Sequence, residues 1–459
     1  REPEYRPSFA RPYLVAPYRR NLARGTATAQ TGEALVTRPV KHNQFGRYAA
    51  VSMRRGAVAA LDIGTNKVAC LIAETAEDNV PSRMMRVTGF GHQISKGLQA
   101  GQITDMRAAE DSLRAAVDAA ERMAGVEVRG IIIGVSANRI SSQICEAHVP
   151  LHGQAVNADH MGLALRHACE KFWSEDHEIL HAIPVAYYVD DSAVISDPRG
   201  MYGQDLRVTL HLISAPVGPI RNLLACVEQC HLVCDKLVVT PYASALSTLM
   251  QDEIDLGTLH IDMGGGTTSF TIFYEGAPVH AGVVPVGGHH ITTDIARGLN
   301  VALPIAERIK TLYGSALASS DSEREQFELP ANDGVAQMLP RSDLTKIIRP
   351  RLEETFELIE ARVASSGMAH LAGRRVVLTG GASQLSGVPE LAQTILDRQP
   401  RLGFPMRLSG LPEAAAGPSF AACAGLLNYA GRQHADAALV SENAGGPFSR
   451  LAAWLRRNF

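Results

Sequence analysis

Two short stretches of the sequence decide the fold: Leu61-Asp-Ile-Gly-Thr-Asn-Lys-Val68 and, about two hundred residues later, Ile261-Asp-Met-Gly-Gly-Gly-Thr267. Each begins at the end of a short apolar strand, continues through a polar turn of glycine and threonine, and leads into a second strand, which predicts a β-hairpin. A repeat array would need several copies at a short period. Two copies so far apart predict two homologous lobes, and the strands and helices between them predict a mixed α/β fold.

A third glycine turn lies in Val376-Val-Leu-Thr-Gly-Gly-Ala-Ser383, where a strand ends and a helix is predicted to begin. Because Gly380 and Gly381 have no side chains, the backbone there can pass close to a nucleoside. Tight turns of this kind aim successive N–H groups into one concavity, which binds phosphate oxygens. The sequence has neither a Walker phosphate loop nor a dinucleotide-binding glycine fingerprint, which excludes the P-loop and Rossmann classes.

A carboxylate stands at the strand end before each of the first two turns. Asp62 and Asp262 form a pair suited to Mg²⁺, which keeps several waters while it bridges phosphate oxygens. Lys67, just past the first turn, supplies a positive charge. Any one of these turns alone is typical of an ordinary hairpin, but three in one chain predict a nucleotide-binding site.

Composition excludes several other classes of protein. The chain has 459 residues, 46% of them apolar, which is enough for about three folding units at roughly 150 residues each. No uncharged apolar run approaches the ~18 residues of a membrane span, which excludes a polytopic membrane protein. The seven cysteines include no Cys-x-x-Cys pair, so we expect no disulfide framework and a reducing, cytoplasmic compartment. The group Cys226, Cys230, His231 and Cys234 lacks the spacing of a zinc site.

The first residues are unlike the rest of the chain. Residues 1–55 carry eleven Arg and Lys against three Glu, a net charge of +8, whereas the remainder carries −11. Residues 1–56 are rich in Pro, Arg and Ala and show no lasting periodicity, which predicts a disordered basic arm. We interpret it as a solvated tail; binding to nucleic acid or anionic lipid is the alternative, and we expect no nucleic-acid partner.

The last residues carry an amphipathic pattern. Residues 431–446 are polar and rich in Ala, Asn and Gly, which predicts a linker. In residues 447–459 the large apolar side chains fall within a roughly 100° arc of a helix, which predicts a helix in a membrane interface that binds reversibly as a single copy. A terminal helix packed on the body is the alternative. The candidate membrane residues are Phe448, Leu451, Trp454, Leu455, Arg456, Arg457 and Phe459.

The order of the three turns resembles the superfamily of actin, sugar kinases and heat-shock ATPases. The resemblance implies an actin-like two-lobed fold of duplicated ribonuclease H-like domains that binds ATP and Mg²⁺ in the cleft between the lobes. Glu307-Arg-Ile-Lys310 resembles the helix that contacts ribose and base in the heat-shock members; an ordinary charged helix face is the alternative. The implied nucleotide-binding residues are Asp62, Gly64, Thr65, Asn66, Lys67, Asp262, Gly264, Gly265, Gly266, Thr267, Thr268, Glu307, Lys310, Gly380, Gly381, Ala382 and Ser383.

A narrower set of motifs, from about residue 57 to the end, resembles the FtsA family of bacterial cell-division actin homologues. These motifs are the first two turns, His181-Ala-Ile-Pro184, Lys236-Leu-Val-Val239, Asp294-Ile-Ala296, Leu378-Thr-Gly-Gly-Ala382, Ala424-Gly-Leu-Leu427 and Trp454-Leu-Arg456. The resemblance implies a first lobe at 57–88, 170–250 and 406–430, an inserted α/β subdomain at 89–169, a second lobe at 251–295 and 346–405, and its small subdomain at 296–345.

The same resemblance implies a function. A member of this family would tether filaments of the tubulin-like protein FtsZ to the inner face of the cytoplasmic membrane at the division site, as a peripheral protein. It would bind the FtsZ C-terminal peptide, associate with itself, touch the anionic membrane surface and recruit later division proteins.

The position that carries a catalytic carboxylate in heat-shock relatives is occupied by Thr240, before Pro241. Threonine cannot act as a carboxylate base, and general-base help is worth about 10²–10⁴-fold, so we expect at most weak ATPase activity. The alternatives within the superfamily are a pilus-assembly scaffold resembling PilM and a sugar kinase or polyphosphate phosphatase.

Overall fold

The computed structural model of this chain describes residues 57–75, 85–137, 139–172, 174, 176–318, 324–329 and 337–441. The predicted arm at 1–56 and the predicted amphipathic helix at 447–459, with its seven candidate membrane residues, lie outside these ranges. None of the helices within these ranges is long and apolar enough to cross a lipid bilayer.

The first lobe opens with a sheet and one long helix. Its elements are β1 (Ala57–Ile63), β2 (Lys67–Thr75), β3 (Met85–Ile94), β4 (Leu98–Gln99), β5 (Gln102–Ile103), α1 (Met106–Ala124) and β6 (Gly130–Val135). β1 and β2 form the first predicted hairpin. α1 begins after Asp105, whose side chain accepts a hydrogen bond from the Ala108 N–H, and ends at Gly125, which adopts the left-handed conformation (φ 71°).

The chain then builds a separate antiparallel sheet and returns. The sheet has the strand order β7-β9-β8 and contains β7 (Ser141–Pro150), β8 (His177–Val189) and β9 (Asp205–Pro216). The helix α2 (Ala158–Lys171), between β7 and β8 in the chain, packs on one side of it. We call these four elements the inserted sheet. The return runs through α3 (Val217–Gln229), β10 (Val233–Val239) and α4 (Thr240–Thr248).

The second lobe contains the second predicted hairpin. Its elements are α5 (Gln251–Leu256), β11 (Thr258–Met263), β12 (Thr268–Tyr274), β13 (Ala277–Val284), α6 (Gly288–Gly298), α7 (Leu303–Tyr313), β14 (Gln326–Leu329), β15 (Gln337–Pro340), α8 (Arg341–Ser365), β16 (Arg375–Thr379), α9 (Val388–Leu396) and β17 (Gln399–Leu402). The chain ends its described part with β18 (Leu408–Ser409) and α10 (Ala421–Ser441), which rejoin the first lobe.

The two main sheets repeat one plan. The first lobe has the strand order β10-β6-β1-β2-β3-β18, and the second has β13-β12-β11-β16-β17. Each sheet contains a three-stranded antiparallel meander. One further strand pairs in parallel with the first strand of the meander, and another pairs in parallel with that strand. The predicted duplication is therefore present in the described residues.

Both faces of the first-lobe sheet are covered. α1 and α3 bury one face, where Leu113 and Ile220 join the core around Leu61. α4 and α10 bury the other face with Leu246 and Leu427. Because neither face meets water, β1 reads as an almost continuous apolar run rather than an alternating one.

The insertion lies later in the chain than the predicted range of 89–169. β6 pairs in parallel with both β1 and β10, and α1 packs on β2 and β3, so these elements belong to the first-lobe sheet. The inserted sheet begins after β6 and ends where α3 begins. Strand partners depend on distant residues that local periodicity does not report, so the sequence pattern could not locate this boundary.

The predicted linker at 431–446 is also wrong in part, because α10 continues to Ser441. Residues 432–441 include three alanines, and alanine is the residue with the highest helix propensity. Polar residues beside these alanines suggested a linker, although polar residues are compatible with an exposed helix. Residues 442–446 lie outside the described ranges.

Candidate functional site

A cleft of about 610 Å³ lies between the two lobes, where β1 and β11 end. It brings together most of the residues predicted from the sequence. The predicted residues that line it are Asp62, Gly64, Thr65, Asn66, Lys67, Asp262, Gly264, Gly265, Gly266, Thr267, Glu307, Lys310, Gly380, Gly381 and Ala382.

The two hairpin turns have matching backbone geometry. In the first turn the Gly64 N–H donates to the Lys67 carbonyl over 3.0 Å, and in the second the Gly264 N–H donates to the Thr267 carbonyl over 3.0 Å. The same register places each aspartate one residue before the last strand pair of its hairpin. The repeat of the sequence motif is thus a repeat of structure, with one turn on each side of the cleft.

The tips of the two turns meet across the cleft. A Cβ atom on Gly265 would lie 2.6 Å from the side chain of Asn66, and one on Gly266 would collide with Oγ1 of Thr65. Real Cβ atoms do not approach other atoms so closely, so the glycines are what allow the lobes to come together here.

Two carboxylates line this cleft, Asp62 buried and Asp262 half-buried. Burial raises the pKa of Asp62 to about 6, although Lys67 lowers it in part. Burial, together with the charge of Asp62, raises the pKa of Asp262 to about 7, while the nearby Ser244 hydroxyl opposes this rise. Removal from water disfavours the ionised forms, and a divalent cation would reverse that preference. Hard carboxylate oxygens are also the ligands that Mg²⁺ prefers, so the pair fits a Mg²⁺ site.

Lys67 contacts two residues that the sequence motifs did not single out. Its ammonium group donates to the Ser419 carbonyl and lies 3.2 Å from the ring centroid of Phe420. Burial lowers the pKa of Lys67 to about 8, although the neighbouring carboxylates favour the charged form. A cation over an aromatic ring is attracted by the negative face of the ring.

The third glycine turn forms another wall of the cleft. Gly380 has φ 86°, and residues Gly381–Gln384 form a short 3-10 helix rather than the start of an α-helix, since α9 begins only at Val388. The α-helix predicted to begin at this turn therefore begins later in the chain, at Val388.

Two predicted residues do not face the cleft. Thr268 is fully buried and its hydroxyl donates to the Val286 carbonyl over 2.8 Å. Ser383 is 1% exposed and its hydroxyl donates to the Gly380 carbonyl over 2.8 Å. Alternation along a strand and a turn of the backbone direct these two side chains into the protein, and their role as nucleotide ligands stays a prediction.

The two predicted residues of α7, Glu307 and Lys310, differ in their contacts. The Lys310 ammonium donates to the Gly288 carbonyl over 3.1 Å, to Thr292 Oγ1 over 2.8 Å and to Glu307 Oε2 over 2.7 Å. An ammonium group has three N–H donors, and these contacts use all three. Lys310 therefore fixes α7 against α6 at the cleft wall, whereas Glu307 keeps Oε1 available for a ligand.

Several lining residues were missed by the sequence motifs. They include His92, Ser136, Ser269, Gln384, Ser419 and Phe420. Thr240 also lines the cleft, and its Oγ1 accepts a hydrogen bond from Ser136 over 3.2 Å. The acidic side chains among the described lining residues are Asp62, Asp262 and Glu307. A motif search cannot find these missed residues, because they reach the cleft from separate strands and from the turn before α10.

Comparison with known proteins identifies relatives of this chain. The family described as "Cell division protein FtsA" matches residues 259–425, and the "SHS2 domain inserted in FTSA" matches residues 137–214, which coincide with the inserted sheet. The cell division protein FtsA of Rhizobium meliloti is 43% identical over 424 residues, covering 89% of this chain and 96% of the relative. That of Escherichia coli strain K12 is 31% identical over 418 residues, covering 88% and 99%.

A solved structure described as a PilM-PilN type IV pilus biogenesis complex has a TM-score of 0.58 and 18% sequence identity, covering 82% of this chain and 98% of that chain. At this identity the likeness supports the actin-like fold alone. Sequence identity along nearly the full length of the relatives goes further. The chain is a member of the FtsA family of cell division proteins, with an actin-like fold and an inserted SHS2 domain.

Proposed function

We propose that this chain binds ATP, with Mg²⁺, in the cleft between its lobes. The observation that supports this most directly is the pair of matching turns, each beginning at a carboxylate that lines the cleft. The N–H groups of the two turns would hold phosphate oxygens from both sides. Asp62 and Asp262 would hold Mg²⁺ through water, and Mg²⁺ would balance the phosphate charge.

The other cleft walls would hold the nucleoside. Glu307 would accept hydrogen bonds from ribose hydroxyls, and Gly380, Gly381 and Ala382 would pass against the base or sugar, where side chains are small enough for close approach.

Hydrolysis would be slow, with the nucleotide acting chiefly to hold the lobes together. Thr240 stands at the cleft where a carboxylate base would be needed, and its hydroxyl is already hydrogen-bonded to Ser136. Without a general base about 10²–10⁴-fold of rate is missing.

Calorimetric titration of the full chain with ATP, in the presence of Mg²⁺, tests the binding. We expect saturable binding that is lost in Asp262→Asn and retained in Asp397→Asn, an exposed carboxylate that does not line the cleft. Phosphate release should be far below one turnover per second; many turnovers per second would contradict the proposed role.

We further propose that the chain tethers FtsZ filaments to the inner face of the cytoplasmic membrane and recruits later division proteins. Membership in a family of cell division proteins and the amphipathic pattern of residues 447–459 support this proposal. One such helix binds reversibly, so self-association would matter, because several helices on one oligomer bind together.

Flotation with anionic liposomes, run with ATP and with FtsZ, tests the tether. Leu455→Glu places a charge on the apolar arc and should abolish flotation of both proteins. Ala453→Glu adds the same charge on the opposite side of the predicted helix and should retain most of it. If a chain lacking residues 447–459 still carries FtsZ to the liposomes, the tether is wrong.

A further inference from the structure

The inserted sheet contacts both lobes. The chain enters and leaves it from the first lobe, and Leu180 and Ile213 join the first-lobe core. Further along, Val185 packs against the second-lobe core. The distal end has its own core, which includes Val149 and Leu206. The sheet is therefore joined covalently to one lobe and packed against the other.

A polar cluster connects the inserted sheet to β13, the edge strand of the second lobe; His211 is fully buried, and Ser142 and His280 are half-buried. Ser142 Oγ lies 2.7 Å from His211 Nε2 and 3.1 Å from His280 Nδ1, and it accepts a hydrogen bond from the Ala281 N–H over 3.1 Å. His211 Nδ1 lies 2.8 Å from the Pro278 carbonyl. We call Ser142, His211 and His280 the clasp.

The partners fix every hydrogen in the clasp. A carbonyl oxygen only accepts, so His211 Nδ1 carries the hydrogen and Nε2 accepts one from the Ser142 hydroxyl. The single Ser142 hydrogen is then used, so His280 Nδ1 must donate to Ser142 Oγ. Burial and the neighbouring His280 lower the pKa of His211 to about 3, which keeps this ring neutral. All the groups are satisfied together, and separation would leave several of them buried without partners.

The clasp is connected to the cleft by backbone hydrogen bonds. β13, which carries His280, runs on to Gly288, whose N–H donates to the Gly264 carbonyl over 2.9 Å. The next N–H, that of His289, donates to the Gly265 carbonyl over 2.7 Å. The second phosphate turn, the start of α6 and β13 are thus one hydrogen-bonded unit that ends at the clasp.

We propose that the clasp couples the cleft to the inserted sheet, so that a movement of the second lobe around a bound nucleotide moves the inserted sheet with it. This inference rests on the proposed binding of ATP. It predicts that the outer end of the insertion, which lies beyond the clasp, responds to nucleotide although it touches none.

Hydrogen–deuterium exchange of the full chain, with and without the ATP analogue AMPPNP and Mg²⁺, tests this. In the natural sequence we expect slower exchange both in cleft peptides (260–268) and in distal peptides of the inserted sheet (145–150 and 205–210). Ser142→Ala should keep the change in the cleft and lose the change in the distal peptides.

Ser214→Ala is the matched control. Ser214 lies on β9 with 1% of its surface exposed, and its hydroxyl has no hydrogen-bond partner among the described residues, so its removal leaves the clasp intact. It should respond like the natural sequence. His280→Phe is a second variant, which removes one hydrogen bond and keeps a ring of similar size beside Phe270; it should lose the distal response as Ser142→Ala does.

Different failures have different meanings. If cleft peptides respond to AMPPNP but distal peptides do not, or if both clasp variants transmit the full distal change, the coupling is wrong while nucleotide binding stands. If the cleft peptides of the natural sequence do not respond, the proposed ATP binding is wrong and the coupling is overturned with it.

Discussion

Gly380 lies directly against Asp262: a Cβ atom on Gly380 would be 2.5 Å from Oδ1 of the aspartate. The third glycine turn is held there by the Gly380 N–H, which donates to the Pro418 carbonyl over 3.2 Å. The third glycine turn is therefore built onto the carboxylate near the end of β11. A change in one must displace the other.

Gly380→Ala should destabilise the protein by about 1–3 kcal/mol, because it adds a collision to a backbone at φ 86° that side chains rarely adopt. Gly381→Ala is the control, since its Cβ would meet nothing nearer than 3.7 Å. Urea unfolding without nucleotide measures both. Equal losses in the two variants would show that the contact with Asp262 carries no constraint.

The two cleft carboxylates should make stability depend on pH. The pKa of Asp62 is raised to about 6 and that of Asp262 to about 7 from an ordinary 3.8. Their contribution to the free energy of unfolding is therefore full at pH values below the ordinary pKa and is lost as pH rises through 6 and 7. Between about pH 5 and about pH 8 the natural sequence should lose about 1–3 kcal/mol more than Asp262→Asn.

Urea unfolding of both proteins across that pH range, in the absence of divalent cations, measures the difference. Mg²⁺ with ATP should reduce the loss in the natural sequence, because a bound cation favours ionised carboxylates. Asp397→Asn, at an exposed position, should follow the natural sequence. Parallel curves for the natural sequence and Asp262→Asn would argue against a strongly raised pKa at Asp262.

Lys310→Ala should lower the free energy of unfolding by about 1–3 kcal/mol, because it removes two hydrogen bonds between α7 and α6 and a third to Glu307 within α7. Arg308→Ala, on the exposed side of the same helix, should change it by less than about 0.5 kcal/mol. Thermal or urea unfolding without nucleotide separates the two. A Lys310→Ala protein of unchanged stability but weaker ATP binding would instead make Lys310 a direct ligand.

Gly91→Ala should destabilise the first lobe, because its Cβ would collide with the Ala116 carbonyl where α1 lies against β3. Such overpacking costs about 1–3 kcal/mol. Gly218→Ala, in the first turn of α3 with open space around its Cβ, should be neutral or stabilise by up to about 1 kcal/mol. Opposite signs in urea unfolding would support the close packing of α1, and a neutral Gly91→Ala would contradict it.

Local motifs were sufficient to predict the duplicated hairpins, the strand-end carboxylates and most of the residues that line the cleft. Glycine, threonine and aspartate in a fixed order favour a tight turn, because the conformation of a turn depends mainly on its own few residues. The same motif at two places therefore predicted two lobes, and it predicted that Asp62 and Asp262 share one site.

The elements that share a sheet and the side chains that reach the cleft became known from the three-dimensional packing. The pairing of β6 with β1 showed that the insertion begins after β6, and the alternation of β12 directs the Thr268 side chain into the protein. Phe420 and Ser136 joined the cleft from distant parts of the chain, and the clasp joined Ser142 to His280 across the lobes. These relations depend on non-local packing, which local periodicity cannot encode, because each partner's position is set by residues far away in the sequence.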